Sequence, residues 1–253
     1  MTFYIFVSNL NLMKISDIVK NKIDKFRNGY VFTYSDISLP ADQIDALKKV
    51  LSRMVKSGKI ERLAKGKYYK PETGTIGKLK PERYQVVKDL LERNGRTIGY
   101  LTGNSAFNKL GLTTQVSSTI EIGSNEIKKP RKRGIYKIRF IIQKNTIYKD
   151  NIYLLQILDS FRFIKRIPGT TTEDSCKKLI NVLSDLPDQE KDRLLKLSIK
   201  YNPATRAVVG AVMENIAGSD KTNPLFLSLN PASFYNIGIS DKVLKNKKKW
   251  RIR

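Results

Sequence analysis

Residues 40–71, PADQIDALKKVLSRMVKSGKIERLAKGKYYKP, constrain the fold more than any other stretch. Ile44, Leu47, Val50, Leu51 and Met54 recur at helical spacing and share one face. The opposite face carries Asp45, Lys48, Lys49, Ser52, Arg53 and Lys56. Pro40 suits a first turn, where its missing N–H leaves no hydrogen bond unmade. Gly58 stands where a helix needs a left-handed residue to stop. Residues 59–63 mix apolar and charged side chains in strand fashion, residues 64–67 turn the chain, and Tyr68-Tyr69 begins a return strand. A helix followed directly by a small basic hairpin is the back half of a winged helix-turn-helix. In that motif the helix enters the major groove and the hairpin touches the backbone beside it.

The residues upstream fit the same motif. Ile15, Ile18, Val19, Ile23 and Phe26 form one stripe and predict a helix over residues 14–26. Asn28-Gly29 ends it, residues 30–33 read as a short strand, and residues 34–39 as a brief second helix. The order predicts a winged-helix domain over residues 13–75. Residues 1–12 are an N-terminal extension with the apolar run 3–7. That run lacks the basic residues before it and the small-residue cleavage site after it that a signal peptide needs. It is read either as an extra strand or arm, or as a lead from an upstream start with Met13 the natural beginning. No apolar run approaches the length needed to cross a bilayer, so no membrane partner is expected.

Charge points to the partner. Lysine and arginine number 48 against 23 acids, a net charge of +25, which implies an anionic partner; nucleic acid and an acidic membrane surface are the usual ones, and nucleic acid is the one expected here. Surplus lysine in a ribosome-associated protein, or from an AT-rich genome, is the bland alternative. The chain has no histidine, which excludes histidine bases, Ser-His-Asp triads and histidine-ligated zinc. Its one cysteine, Cys176, excludes internal disulfides and multi-cysteine metal sites. Cys176 is expected at a half-buried helix position and fits a reducing cytoplasm. No cofactor or metal is expected.

For a duplex lying against this helix and hairpin, Lys48, Lys49, Arg53 and Lys56 are the expected phosphate contacts of the helix. Arg62, Lys65, Lys67 and Lys70 are those of the hairpin. Such contacts fix position without reading sequence. Gln43 is the best candidate to read a base, because its amide can pair bidentately with adenine. Asp42 and Asp45 favour the positive helix end but repel phosphate; they either accept from cytosine N4 or only cap.

The rest of the chain reads as mixed α/β and then helical. Residues 72–78 are punctuated like a linker. Residues 83–93 form a helix. Gly95, Gly99 and Gly103 follow without a trailing Lys-Ser/Thr, which excludes a phosphate loop. A short helix over 105–112 precedes strands over 113–122 and 135–143. Between these strands Lys128, Lys129, Arg131, Lys132 and Arg133 form a basic hairpin tip with no acid among them. A second DNA contact is favoured there over an acidic partner or a solvated loop, since two basic elements raise salt-dependent affinity together. Helices are predicted over 151–163, 176–183 (opened by a Thr171/Asp174 capping box), 187–201, and from Asn202-Pro203 through Ile216. Beyond residue 217 periodicity is lost, and the tail 242–253 reads as basic and mobile. The predicted architecture is α+β: a winged helix-turn-helix over 13–75, a mixed α/β domain ending in helices over 76–217, and a basic tail over 218–253.

Three enzyme signals are weak. Glu126-Ile127-Lys128 matches the Glu-x-Lys of metal nucleases, but no Pro-Asp precedes it at a sensible spacing. Gly123-Ser124 would open a nucleotidyltransferase site only with paired carboxylates in the next strand, and basic residues follow instead. Asp185, Asp188, Glu190 and Asp192 sit around a helix start, where acids belong electrostatically. A metal-dependent nuclease targeted by a winged helix, and an RNA-binding adaptor, stand as the alternatives.

Two blocks carry a family resemblance. Residues 51–71, LSRMVKSGKIERLAKGKYYKP, resemble the N-terminal domain of AbiE-type (type IV toxin–antitoxin) abortive-infection antitoxins. Residues 105–116, SAFNKLGLTTQV, resemble the start of their second domain. The resemblance covers residues 13–216. It implies a bacterial two-gene system in which the antitoxin binds its own promoter and represses the operon. Its C-terminal domain would counter a nucleotidyltransferase toxin, with direct contact not required.

Overall fold

The structure, a computed structural model, describes residues 14–75 and 77–253. The extension expected over residues 1–12 lies outside them. The architecture is α+β, in two compact units: the described residues up to Lys88 with Arg133–Ile135, and Asp89–Lys132 with Tyr136–Arg253. The first unit runs on to Lys88, past the domain limit expected at 75/76.

In the first unit, helix α1 (Ile15–Asp24) buries Val19 and Ile23, leads to strand β1 (Val31–Phe32), and is followed by helix α2 (Tyr34–Ile37). Asp36 accepts the Thr33 backbone N–H at 2.7 Å and so closes the start of α2. A 3₁₀ turn (Ala41–Gln43) follows Pro40, so helix α3 (Ile44–Lys56) starts four residues later than the proline suggested. It stops at Gly58, whose φ of 71° is left-handed as expected. Strands β2 (Glu61–Ala64) and β3 (Lys67–Tyr69) form the hairpin. Strand β3 lies between β2 and β1, antiparallel to both, with Phe32 opposite Tyr68. Val19, Ile23, Phe32, Ile37, Leu47, Leu51, Ile60 and Tyr68 close one core. The expected linker instead pairs as a small hairpin, β4 (Thr73–Gly74) with β5 (Gly77–Lys78). Lys78 Nζ fastens it to the Gly58 carbonyl at 3.0 Å and to Glu61 at 2.9 Å.

Helix α4 (Arg83–Leu91) leads into the second unit. There the short pair β6 (Glu92–Arg93) and β7 (Arg96–Thr97) precedes β8 (Tyr100–Thr102), helix α5 (Asn104–Lys109), β9 (Thr119–Ser124), β10 (Arg131–Arg133) and β11 (Tyr136–Ile142). The sheet order is β10-β11-β9-β8. Two corrections follow. Residues 113–118 are not strand: Asn104 and Asn108 both donate to the Gln115 carbonyl, at 2.7 and 3.1 Å, and hold the segment as a loop. Strands β9 and β11 run parallel, with Ile120 beside Ile138, so no simple hairpin joins them. The basic run is not a tip: Arg131–Arg133 is itself strand β10, and the chain turns after it at Gly134, φ 54°.

Five helices complete the unit: α6 (Ile152–Arg162), α7 (Thr172–Ser184), α8 (Asp188–Ser198), α9 (Pro203–Ala217) and α10 (Ser219–Leu227). Thr171 and Asn202 cap α7 and α9 by accepting the backbone N–H three residues on. Cys176 is fully buried rather than half-buried, and burial pushes its thiol up to about 12. The tail, expected to be mobile, is packed into the core instead. Leu244, Trp250 and Ile252 lie in the same core as Leu158, Leu179 and Val212, and Tyr235 pairs with Ile252 in a parallel bridge.

Candidate nucleic-acid interface

The amphipathic period of α3 decides what its outer face can do. Burial of Leu47 and Leu51 against α1 and the sheet leaves Lys48, Lys49, Ser52, Arg53 and Lys56 on the outer face. Lys48 is not fully available: its Nζ donates to Asp45 at 2.8 Å, and that bond holds the Asp45 carboxyl below its ordinary range. Past this pair the outward face carries no acid. Arg53 joins Lys20 and Lys59, with Asp17 as the one acid, along a groove of about 190 Å³ between α1 and α3, a grouping invisible in sequence because separate segments supply it. Gln43 is half-buried at the entry to α3, behind the exposed Asp42.

On the hairpin, Arg62 and Lys65 are exposed, and Gly66 takes the left-handed φ of 69° that the two-residue turn needs. Lys67 is half-buried and engaged in contacts of its own. Lys70 is used internally: its Nζ donates to the Asp24 and Phe26 carbonyls at the end of α1, at 3.2 and 3.4 Å. Beneath the hairpin Tyr68 meets Tyr34 at 3.3 Å, and burial followed by that bond pushes its phenol up to about 12.

The second basic cluster divides. Lys129, Arg131 and Lys132 are exposed. Lys128 is largely covered, 3.3 Å from Glu126. Arg133 is not a surface cation: it is 6% exposed and donates to the Val86 carbonyl at 2.6 Å. A buried guanidinium already hydrogen-bonded to backbone is an internal strut, and sequence gave no sign of it.

The nuclease signal finds no company. Glu126 is exposed and paired with Lys128, and among the described residues no three of His, Cys, Asp and Glu cluster as metal ligands. Ser124 is buried, with its hydroxyl accepting the Glu126 backbone N–H at 3.2 Å. Asp188 and Asp192 pair with Lys191 and Lys221.

Sequence reasoning missed the polar centre of the second unit. Asp159 is fully buried and accepts from the Tyr100 hydroxyl at 2.7 Å, Thr102 at 2.6 Å and the Tyr201 hydroxyl at 3.0 Å. Gln143 Nε2 donates to both tyrosines, at 2.9 and 2.8 Å. The one available signal is an acid inside the apolar run 157–161. Burial pushes the Asp159 carboxyl upward against the three hydroxyl donors that favour its charged form. The hydrogen bonds of this network are met within the protein, which marks it as structural. A separate cleft of about 520 Å³ opens beside Asn104, Gln115, Ser118, Arg139 and Arg166, with Arg166 bound to Glu121 at 3.3 Å.

These features define an α+β protein whose first unit presents an acid-poor cationic face on a helix and hairpin. The chain belongs to a family described as a family of unknown function (DUF6088), which matches residues 18–194. No curated protein matches it. The crystal structure of the RV2827C protein from Mycobacterium tuberculosis is similar, with a TM-score of 0.52 over 94% of this chain and 89% of that one. Identity is 13%, so the likeness is one of fold alone. No helix among the described residues is long and apolar enough to cross a membrane.

Proposed function

We propose that the first unit is a winged helix that binds duplex DNA, and that the protein is the non-enzymatic antitoxin and autorepressor of a toxin–antitoxin operon. One observation carries the DNA reading. Lys49, Arg53 and Lys56 line the outer face of α3, and the hairpin that follows it exposes Arg62 and Lys65. A helix of this width fits the major groove, and a cationic hairpin beside it suits the flanking phosphates. The antitoxin role rests on the resemblance of residues 51–71 and 105–116, and the partner it names is a nucleotidyltransferase toxin, countered without required contact.

A reporter fused to the protein's own promoter tests both halves. Repression by the full chain is expected. Arg62→Ala with Lys65→Ala is expected to relieve it by about tenfold or more, because two charge-assisted phosphate bonds are removed. Both side chains are on the surface, so the variant keeps its fold. Repression unchanged in the double variant overturns the role of the hairpin; no repression by the full chain overturns the autorepressor reading.

A further inference from the structure

We infer that the second unit carries a binding site for a phosphate dianion, formed by Lys144, Arg162 and Lys200. These three cations line a pocket of about 150 Å³ together with Ile142, Gln143, Tyr201 and Asn202, and no acid lines it. The site is separate from the DNA face proposed above and does not depend on it.

The chemistry follows from what each lining group has left to give. Gln143 and Tyr201 form a neutral floor, their donors committed to Tyr100 and Asp159 inside the protein. Asp159 is the carboxylate behind that floor, and it accepts the Tyr201 hydroxyl rather than lining the pocket. Arg162 places one guanidinium nitrogen 3.2 Å from the Ile142 carbonyl, which fixes the planar group and leaves its other nitrogens to donate. Lys144 and Lys200 are exposed and have no acidic partner among the described residues. The Asn202 side-chain oxygen caps α9 by accepting from Thr205, so its amide nitrogen remains a donor. A small cavity holding an arginine fork, two ammonium groups and an amide donor matches a tetrahedral oxyanion. The cavity is well below the 300–1,000 Å³ or so typical of pockets for whole small molecules, so a nucleoside stays outside it. Three cations balance a dianion better than a monoanion. A terminal phosphomonoester or free phosphate is therefore the ligand, and an internal phosphodiester is not.

Isothermal titration of the full chain at fixed ionic strength tests this with three probes: inorganic phosphate, thymidine 5′-monophosphate and dimethyl phosphate. Saturable binding of one or both of the first two, with dimethyl phosphate at least about tenfold weaker, is expected. Binding of phosphate alone marks free phosphate as the source; binding of both marks a phosphorylated end as acceptable. Lys144→Ala with Lys200→Ala, two exposed changes that circular dichroism should show to be folded, is expected to weaken binding by at least about tenfold. Equal binding by the double variant, equal binding of dimethyl phosphate, or no saturable binding of phosphate and the monophosphate overturns the assignment.

Discussion

Trp250→Ala is expected to destabilise the second unit by about 3–5 kcal/mol, although Trp250 stands only three residues from the end of the sequence. Its ring is fully buried and meets Phe226 edge-on at 5.5 Å between centroids. Its indole N–H donates to Glu214 at 3.0 Å, and Asn246 and Lys249 reach the same carboxylate. Truncation would open a cavity among α9, α10 and the tail and leave Glu214 short of a donor. Gly210 shows how close the packing is: a Cβ there would lie 2.1 Å from the indole ring. Gly210→Ala should therefore destabilise too, although alanine favours a helix interior by about 1 kcal/mol. Urea unfolding followed by circular dichroism measures both, as a lower midpoint with an unchanged slope. A tail packed loosely on the surface would show no shift for either variant. Trp250 is the sole tryptophan, so a wild-type emission already at the solvent-exposed wavelength would refute its burial directly.

Asp159→Ala should have an effect of similar size for a different reason. It leaves the hydroxyls of Tyr100, Thr102 and Tyr201 without their acceptor in the buried interior. A loss of about 3 kcal/mol or more is expected, since each buried unpaired donor costs about 1–3 kcal/mol. Asp159→Asn isolates the charge. Burial raises the native carboxyl above its unfolded value, so between the two the native state holds the proton that the unfolded chain has lost. Stability therefore falls as pH rises from about 4 through that window, and below it the effect is absent. The asparagine variant should lack this dependence. The difference in unfolding free energy between wild type and variant, taken at several pH values, is expected to move against the wild type as pH increases. A difference that stays flat with pH would show that Asp159 titrates alike in both states.

What was legible in the sequence was local. The period of α3, the left-handed stop at Gly58 and the caps at Thr171 and Asn202 are each set by neighbours a turn away, and the structure places them where expected. What was not legible depends on distant partners. Arg133 looks like any exposed cation until the Val86 carbonyl accepts its N–H. The parallel pairing of β9 and β11 is set by topology, and no turn residue announces it. Helix α10 was hidden by Pro224 and the polar residues around it, and the tail by its lysines, which surround a segment anchored by Leu244, Trp250 and Ile252. The cations expected to meet DNA divide for the same reason. Lys49, Arg53, Lys56, Arg62 and Lys65 keep their charge on the surface, whereas Lys48, Lys70 and Lys128 meet partners within the protein.

On the function proposed above, α3 and its hairpin grip duplex DNA through phosphate contacts. Fluorescence anisotropy of a promoter duplex, titrated with the full chain over a range of salt concentrations, is the decisive experiment. The wild type is expected to bind with log K falling linearly as log salt rises. Lys49→Ala with Arg53→Ala and Lys56→Ala is expected to make that slope shallower by about 0.9 for each phosphate no longer neutralised. An unchanged slope in the triple variant, or no binding of the duplex by wild type even at low salt, would contradict it.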